Sequence, residues 1–312
     1  MVILHLLDSS PYFDTPYHLI GWLGWFVMAA MILWVLRQNW KVEVSKNFWT
    51  RLGFLAIATV ICTLFVGIEI PFEDTLPLPN VPVDTTIPVV MVFSFLPLML
   101  ASGLLGVWPA VLLGFLSGIF NALWNKHSVF TPLESASITL LLCLALRQDY
   151  RTRFFRFLRH PIGAALIVSL LTAPIFLVST FFSTNGSFAA RLDYSFTQSW
   201  ILMAINSIEI LYAGLLCELF SVTKLKRWVK FGNLRPSPIE TGLQNRILYT
   251  ALPMVIVLLL TLVIADWVVA GRAAREIMIN QLENSAKIAA ENIPSILETG
   301  QSLTTSLVEL DL

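Results

Sequence analysis

Long apolar runs separated by short polar connections set the pattern of this chain. The runs fall at 17–36, 52–70, 88–101, 107–124, 132–146, 161–182, 197–222 and 247–269. About 20 apolar residues carry a helix across roughly 30 Å of hydrocarbon at about 1.5 Å per residue. The pattern therefore predicts an all-α, polytopic membrane protein of about eight transmembrane helices. The stretch 87–124 has no charged residue, and as one helix it would far exceed the bilayer. Ser102-Gly103 and Gly106-Val107-Trp108-Pro109 supply a turn there, so it reads as a hairpin of two short helices.

Beyond 269 the pattern changes. Ile279, Leu282, Ala286, Ala289, Ile293, Ile296, Gly300, Leu303, Leu307 and Leu310 recur at three- and four-residue steps. This is an amphipathic helix with one apolar seam, suited to pairing with another helix; Pro294 is expected to bend or interrupt it. An uncovered stripe of this kind calls either for a second copy or for more chain beyond Leu312. The organisation expected is a seven-helix bundle at 1–222, a basic linker at 223–245, an eighth span at 246–270 and a long external helix at 271–312.

Charge placement orients these elements. Lys and Arg concentrate in the connections 37–51, 147–160 and 223–246, whereas the segments 1–16, 71–87, 125–130 and 183–196 hold only Lys126 and Arg191. By the positive-inside rule the three basic connections face the cytoplasm of a bacterial-type cell membrane, with the N-terminus outside. Arg272, Arg275 and Lys287 follow the eighth span on the outer side, a mild departure from the rule. Residues 1–17 lack the basic start of a cleaved signal peptide, so the first apolar run reads as a true span. Composition agrees with immersion in lipid: 56% hydrophobic and 13% charged residues, with a mean hydropathy of +0.76. The net charge of +0 says nothing about a partner until the placement of Lys and Arg is read, and no nucleic-acid partner is expected. Cys62, Cys143 and Cys217 lie within apolar runs without paired spacing, and read as small core residues.

Ionisable groups inside a bilayer are costly, so each is a candidate site. Glu209 lies near the middle of the seventh span with Asn206 one turn before it. Either an interhelical hydrogen bond or a ligand or proton role would account for it. Glu69, Glu218 and Asp266 fall near span ends and read as interfacial. A second concentration runs from Asn121 through Trp124 and His127 to Glu134, where amide, indole, imidazole and carboxylate converge on a short external link, as at the mouth of a small-ligand pocket. Thr131-Pro132-Leu133-Glu134 also has the form of a capping box, the preferred reading of Glu134. Trp124 fits an aromatic belt, and Lys126 the wet interface. Ser237-Pro238-Ile239-Glu240 repeats the capping form. Asn185-Gly186-Ser187 matches a glycosylation sequon. No phosphate-binding glycine loop, H-E-x-x-H motif or nucleophile elbow is present, so no enzymatic activity, cofactor or metal is expected within these residues.

The region 98–146, with Gly-Leu-Leu-Gly-Val-Trp-Pro-Ala-Val-Leu-Leu-Gly-Phe-Leu-Ser-Gly, the Trp124–His127 link and Thr-Pro-Leu-Glu, resembles bacterial membrane sensory modules. These are of the five-helix type on LytS-like sensor kinases and diguanylate cyclases, or MASE-like, with relatives among energy-coupling-factor transporter substrate-binding subunits. The region 246–312, an Arg-led span followed by Ala-Ala-Arg-Glu and a long helix, resembles the start of a Cache-type extracellular sensor domain. The resemblance implies the input end of a signalling protein, sensing a small molecule or membrane state, and the 279–310 seam suits a homodimer joined along it. A solute transporter or its binding subunit, and a structural subunit of a membrane complex, are the alternatives.

Overall fold

The computed structural model describes residues 2–3, 11, 13–16, 18–39, 47–64, 67–69, 89–224 and 234–237, together with helical positions between 247 and 300. The chain forms two compact units, Met1–Ser237 and Pro238–Leu312. The first is built from β1 (Val2–Ile3), α1 (Leu19–Gln38), α2 (Phe48–Leu64), β2 (Gly67–Glu69), β3 (Val89–Met91), α3 (Leu96–Leu104), α4 (Val107–Asn121), α5 (Thr131–Leu146), α6 (Arg153–Leu158), α7 (Pro161–Ser183) and α8 (Phe188–Lys224). The protein is mostly helical, as its hydropathy requires.

Among the described residues, four helices are long and apolar enough to cross a membrane: Leu19–Gln38, Val107–Lys126, Pro161–Ser183 and Phe188–Ser221. The shorter α2 and α5 are also apolar. Outward-facing apolar side chains cover these helices. On α1 only Gly21, Gly24, Ile32 and Leu36 are buried, while Leu19, Leu23, Phe26, Met31, Leu33 and Trp34 are exposed. A contiguous apolar surface of this extent suits lipid rather than water.

The run 88–101 departs from the expected helix. Its first residues form β3, the edge of a three-stranded antiparallel sheet ordered β1-β2-β3, with Gly67 opposite Met91 and Glu69 opposite Val89. Only nine residues, Leu96–Leu104, are helical. The β-branched pair Val89-Val90 favours an extended backbone, and Pro97 takes the first turn of α3, where proline starts a helix. Non-helical backbone deep in an apolar bundle must find its hydrogen-bond partners within the protein. Here the sheet supplies some and Glu209, described below, supplies another. Leu98, Met99 and Ala101 of α3 are wholly buried among the neighbouring helices. The turn foreseen before Pro109 is present, with Gly106 at φ 117°, a conformation natural to glycine.

Close helix contact rests on small residues. A Cβ placed on Gly118 would lie 2.4 Å from the Pro132 Cα and 2.8 Å from the Thr131 carbonyl oxygen, and one on Gly114 would lie 2.5 Å from the Thr139 Oγ1. Gly114 and Gly118, one turn apart, thus let α4 press against the backbone of α5, the small-xxx-small device of membrane helices. Buried hydroxyls add polar ties: Thr63 Oγ1 on α2 lies 2.9 Å from Ser117 Oγ on α4.

The connection between α7 and α8 is far shorter than the expected 183–196 loop. It comprises only residues between Ser183 and Phe188, with Gly186 at φ 125°, and α8 runs for 37 residues. Arg191 holds this corner. Its Nε and Nη2 donate to the Phe181 carbonyl oxygen at 3.2 and 2.8 Å, and its guanidinium sits over the Phe181 ring. A carbonyl near a helix C-terminus is thereby satisfied by a buried cation. Arg191→Leu is expected to lower stability by roughly 2 kcal/mol, read as an earlier transition when the purified protein is unfolded by titrating SDS into mixed micelles; an unchanged midpoint would remove this role. α7 continues through Pro174, so that proline does not divide the span.

Polar connections gather at the two ends of this unit. At one, the Asp14 N–H donates to the His127 carbonyl and the Val129 N–H to the Asp14 carbonyl. Trp25 Nε1 on α1 also donates to the Val129 carbonyl. At the other, the Arg235 N–H donates to the Asp149 carbonyl and the Arg151 N–H to that of Arg235. There too His160 Nδ1 lies 3.0 Å from Glu218 Oε1. Arg147 Nη1 donates to the Ser102 carbonyl at the end of α3.

The described positions of the second unit are helical, including 279–281, 283–294 and 299–300. Pro294 is itself helical, and the residues directly after it, 295–298, lie outside the described residues. Ile279, Ile288 and Ile293 are exposed. Leu303, Leu307, Leu310, Asp266 and Glu240 lie outside the described residues, as does the side chain of Glu69.

Candidate functional site

The two polar concentrations foreseen in the sequence, distant along the chain, meet in one cavity. It encloses about 200 Å³ at the end of the first unit where α4 leads into α5 and α7 into α8. Asn121, His127, Glu134 and Glu209 all line it. The long helix contributes one face: Tyr194, Gln198, Leu202, Ile205 and Glu209 follow at steps of four, four, three and four residues, the repeat of a single helical stripe.

Glu209 is buried, with 4% of its surface exposed. Its Oε1 accepts the Met91 N–H at 2.7 Å and its Oε2 accepts the Ser94 hydroxyl at 2.8 Å. The carboxylate therefore closes the break between β3 and α3, taking up a backbone donor that no helix serves. A carboxylate offers about four lone-pair positions, so acceptor capacity remains on both oxygens of this cavity-lining residue.

Glu134 is also buried. It does not cap α5: no side chain caps that helix, whose N-cap position is Phe130. Its Oε1 accepts the Ser179 hydroxyl from α7, and Oε2 lies 3.8 Å from Lys126 Nζ. The capping reading fails because Thr131 is already inside the helix, where its hydroxyl cannot reach the first free N–H groups. That hydroxyl is wholly buried without a hydrogen-bond partner among the described residues.

Lys126 reaches inward through a local change of helix type. Ala122–Lys126 form a π-helical turn after α4, and His127 follows in the left-handed region at φ 52°. Wide turns of this kind occur at functional sites, where they redirect side chains. Lys126 Nζ lies 5.0 Å from the Phe176 ring centroid, within cation–π range. It is thus a group on the cavity wall as well.

Two candidates stand apart. Trp124 stacks on Phe120 at 5.8 Å and is not among the lining residues. Asn206 is buried, but its Nδ2 donates to the Leu202 carbonyl one turn back, and it too stays off the cavity wall. Sequence reading missed Lys126, Asn125, Thr131 and the hydroxyl-bearing end of α7 at Thr180, Ser183 and Thr184. The spacing of Tyr194 and Gln198 ahead of Glu209 was the available signal. Among the described residues no group of three or more His, Cys, Asp or Glu side chains is placed to hold a metal ion. Cys143 and Cys217 are buried and unbridged.

These features define the class: a mostly helical protein with membrane-length apolar helices and a polar, partly enclosed cavity between them. Comparison of the chain with protein-family models, with curated proteins and with solved structures gives no match.

Proposed function

We propose that this chain is a membrane-embedded input module that binds a small molecule between its helices, as the sensory end of a bacterial signal-transduction protein. One observation carries the reading: the cavity joins Lys126 and Glu134 with Glu209 from two stretches of chain far apart in sequence. Membrane proteins place ionisable groups inside the bundle where a ligand or ion is handled, and polar groups converging on a concave site are the usual form of a small-molecule pocket.

The charge rule puts the cavity on the outer side. Asp14, the 125–130 link and Thr184 belong to segments poor in basic residues, and they gather at the cavity end. The basic connections around Arg151 and Arg235 meet at the other end, which supports the cytoplasmic assignment of both. The segment from Val89 to Ser102 runs from the cavity toward Arg147, so strand, turn and short helix together serve as one crossing, and eight crossings remain the proposed count. The signal is a shift of population between two packings of α8, passed to the second unit and to a partner copy paired along 279–310.

A transporter binding subunit is the second reading, favoured by the interrupted β3–α3 crossing, since discontinuous elements beside a polar site are common in transporters. The purified chain in lipid nanodiscs, screened against small polar metabolites by thermal shift, tests both. A ligand at about 100 times its Kd is expected to stabilise by roughly 2.7 kcal/mol, and Glu134→Gln is expected to abolish the shift. Accumulation of that ligand inside proteoliposomes would favour transport. A complete absence of Glu134-dependent shifts would sink the binding module in either form.

A further inference from the structure

We propose that the cavity takes a small organic cation carrying N–H donors, a primary ammonium or a guanidinium; this rests on the binding reading above. The argument is a matching of hydrogen-bonding valences. Asp14, Glu134 and Glu209 line the cavity beside Lys126 and His127. Lys126 is paired with the Glu134 carboxylate at 3.8 Å and lies over the Phe176 ring. What remains open is acceptor capacity. The Thr131 hydroxyl, on a residue with 0% exposure, and the Asn125 Oδ1 are both buried on the lining without a hydrogen-bond partner among the described residues. Asn125 uses its Nδ2 toward Asn121 Oδ1, which leaves its carbonyl oxygen as an acceptor alone. Glu209 and Glu134 each retain lone pairs.

Buried polar atoms without partners are rare, because each costs the free energy of a lost hydrogen bond. Two on the wall of one cavity mark where a donor belongs. An anionic ligand would face the buried carboxylates of Glu134 and Glu209, with Lys126, already paired with Glu134, and His127 to receive it. A quaternary ammonium would match the charge but leave the Thr131 and Asn125 oxygens unserved. A cavity of about 200 Å³ is far larger than a bare ion needs, and holds a molecule of amino-acid size.

The test uses the full chain in nanodiscs and ligand-observed NMR with four probes of similar size: butylammonium, tetramethylammonium, butyramide and butyrate. Butylammonium is expected to bind saturably, and at least about tenfold more tightly than tetramethylammonium, as charge-assisted hydrogen bonds require. Butyrate is expected not to displace it. Thr131→Val, which keeps shape and removes the hydroxyl, is expected to weaken butylammonium about three- to tenfold. It should leave thermal stability unchanged or higher, since an unpartnered buried polar atom is lost. Glu134→Gln should weaken the probe by about tenfold or more.

Butyrate or butyramide binding as tightly as butylammonium, with the Thr131→Val dependence, would overturn the cation assignment while leaving a ligand site. Butylammonium binding unaffected by both substitutions would also overturn it. If no probe binds saturably, the cation assignment falls, while the binding reading is decided by the Glu134-dependent shifts of the metabolite screen.

Discussion

Gly118→Ala is expected to be among the most destabilising single substitutions in the first unit, by about 3 kcal/mol, the upper range for overpacking. The added methyl would lie 2.4 Å from the Pro132 Cα and 2.8 Å from the Thr131 carbonyl oxygen. Both obstacles are backbone, so no side-chain rotation relieves the clash, and α4 must move away from α5. Gly53→Ala is the matched control. Nothing lies within 4 Å of a Cβ on Gly53, and alanine is the better helix former by about 0.5–1 kcal/mol. Unfolding by SDS titration should therefore shift in opposite directions for the two variants. The same separation would carry Asn121 and Asn125 away from Glu134, so ligand affinity should fall with stability in Gly118→Ala alone. Equal behaviour of the two alanines would mean that the helices are not in the contact described.

Glu209→Leu is the second large effect expected, again near 3 kcal/mol. Leucine fills a similar volume but leaves the Met91 N–H and the Ser94 hydroxyl buried without an acceptor, each costing about 1–3 kcal/mol. Adding Ser94→Ala removes one of the stranded donors, so the double variant should be more stable than Glu209→Leu alone. The Met91 amide stays unsatisfied in both. A double-mutant cycle isolates this coupling. If Glu209→Leu proves as stable as the parent, the carboxylate does not complete the interrupted crossing, and a purely ligand-directed role would remain for it.

Hydropathy made the membrane class and most helices legible, because lipid leaves a helix no choice about its outward residues. It was silent on β3. An apolar run of 14 residues, 88–101, reads the same whether it is one buried helix or a strand followed by a short one, since in a fully enclosed segment neither periodicity appears. The strand is set by tertiary partners: Gly67 and its neighbours on one side and Glu209 on the other. For similar reasons the start of α8 was missed. Arg191 and Asp193 look like loop residues to a charge-based reading, yet Arg191 is consumed in holding the end of α7.

The site was half legible. Glu209 stood out by its depth, and Asn121, His127 and Glu134 by their mixture, yet nothing in either pattern told that the two groups share a cavity. That requires the order in which helices pack. Trp124 and Asn206 shared the local sequence signal but point elsewhere, which a helix-face argument one turn long does not resolve. Lys126 was passed over because its inward course depends on the π-helical turn, a backbone feature without a sequence signature of its own.

The length of α8 has a mechanical meaning. Its 37 residues extend for about 55 Å at 1.5 Å per residue, a single stiff rod without an internal proline. Glu209 is engaged at the cavity, and Glu218 contacts His160 near the basic end. The two carboxylates are about 13.5 Å apart along this one rod at 1.5 Å per residue, with no proline between them, so a displacement of the helix along its axis at one would be shared by the other.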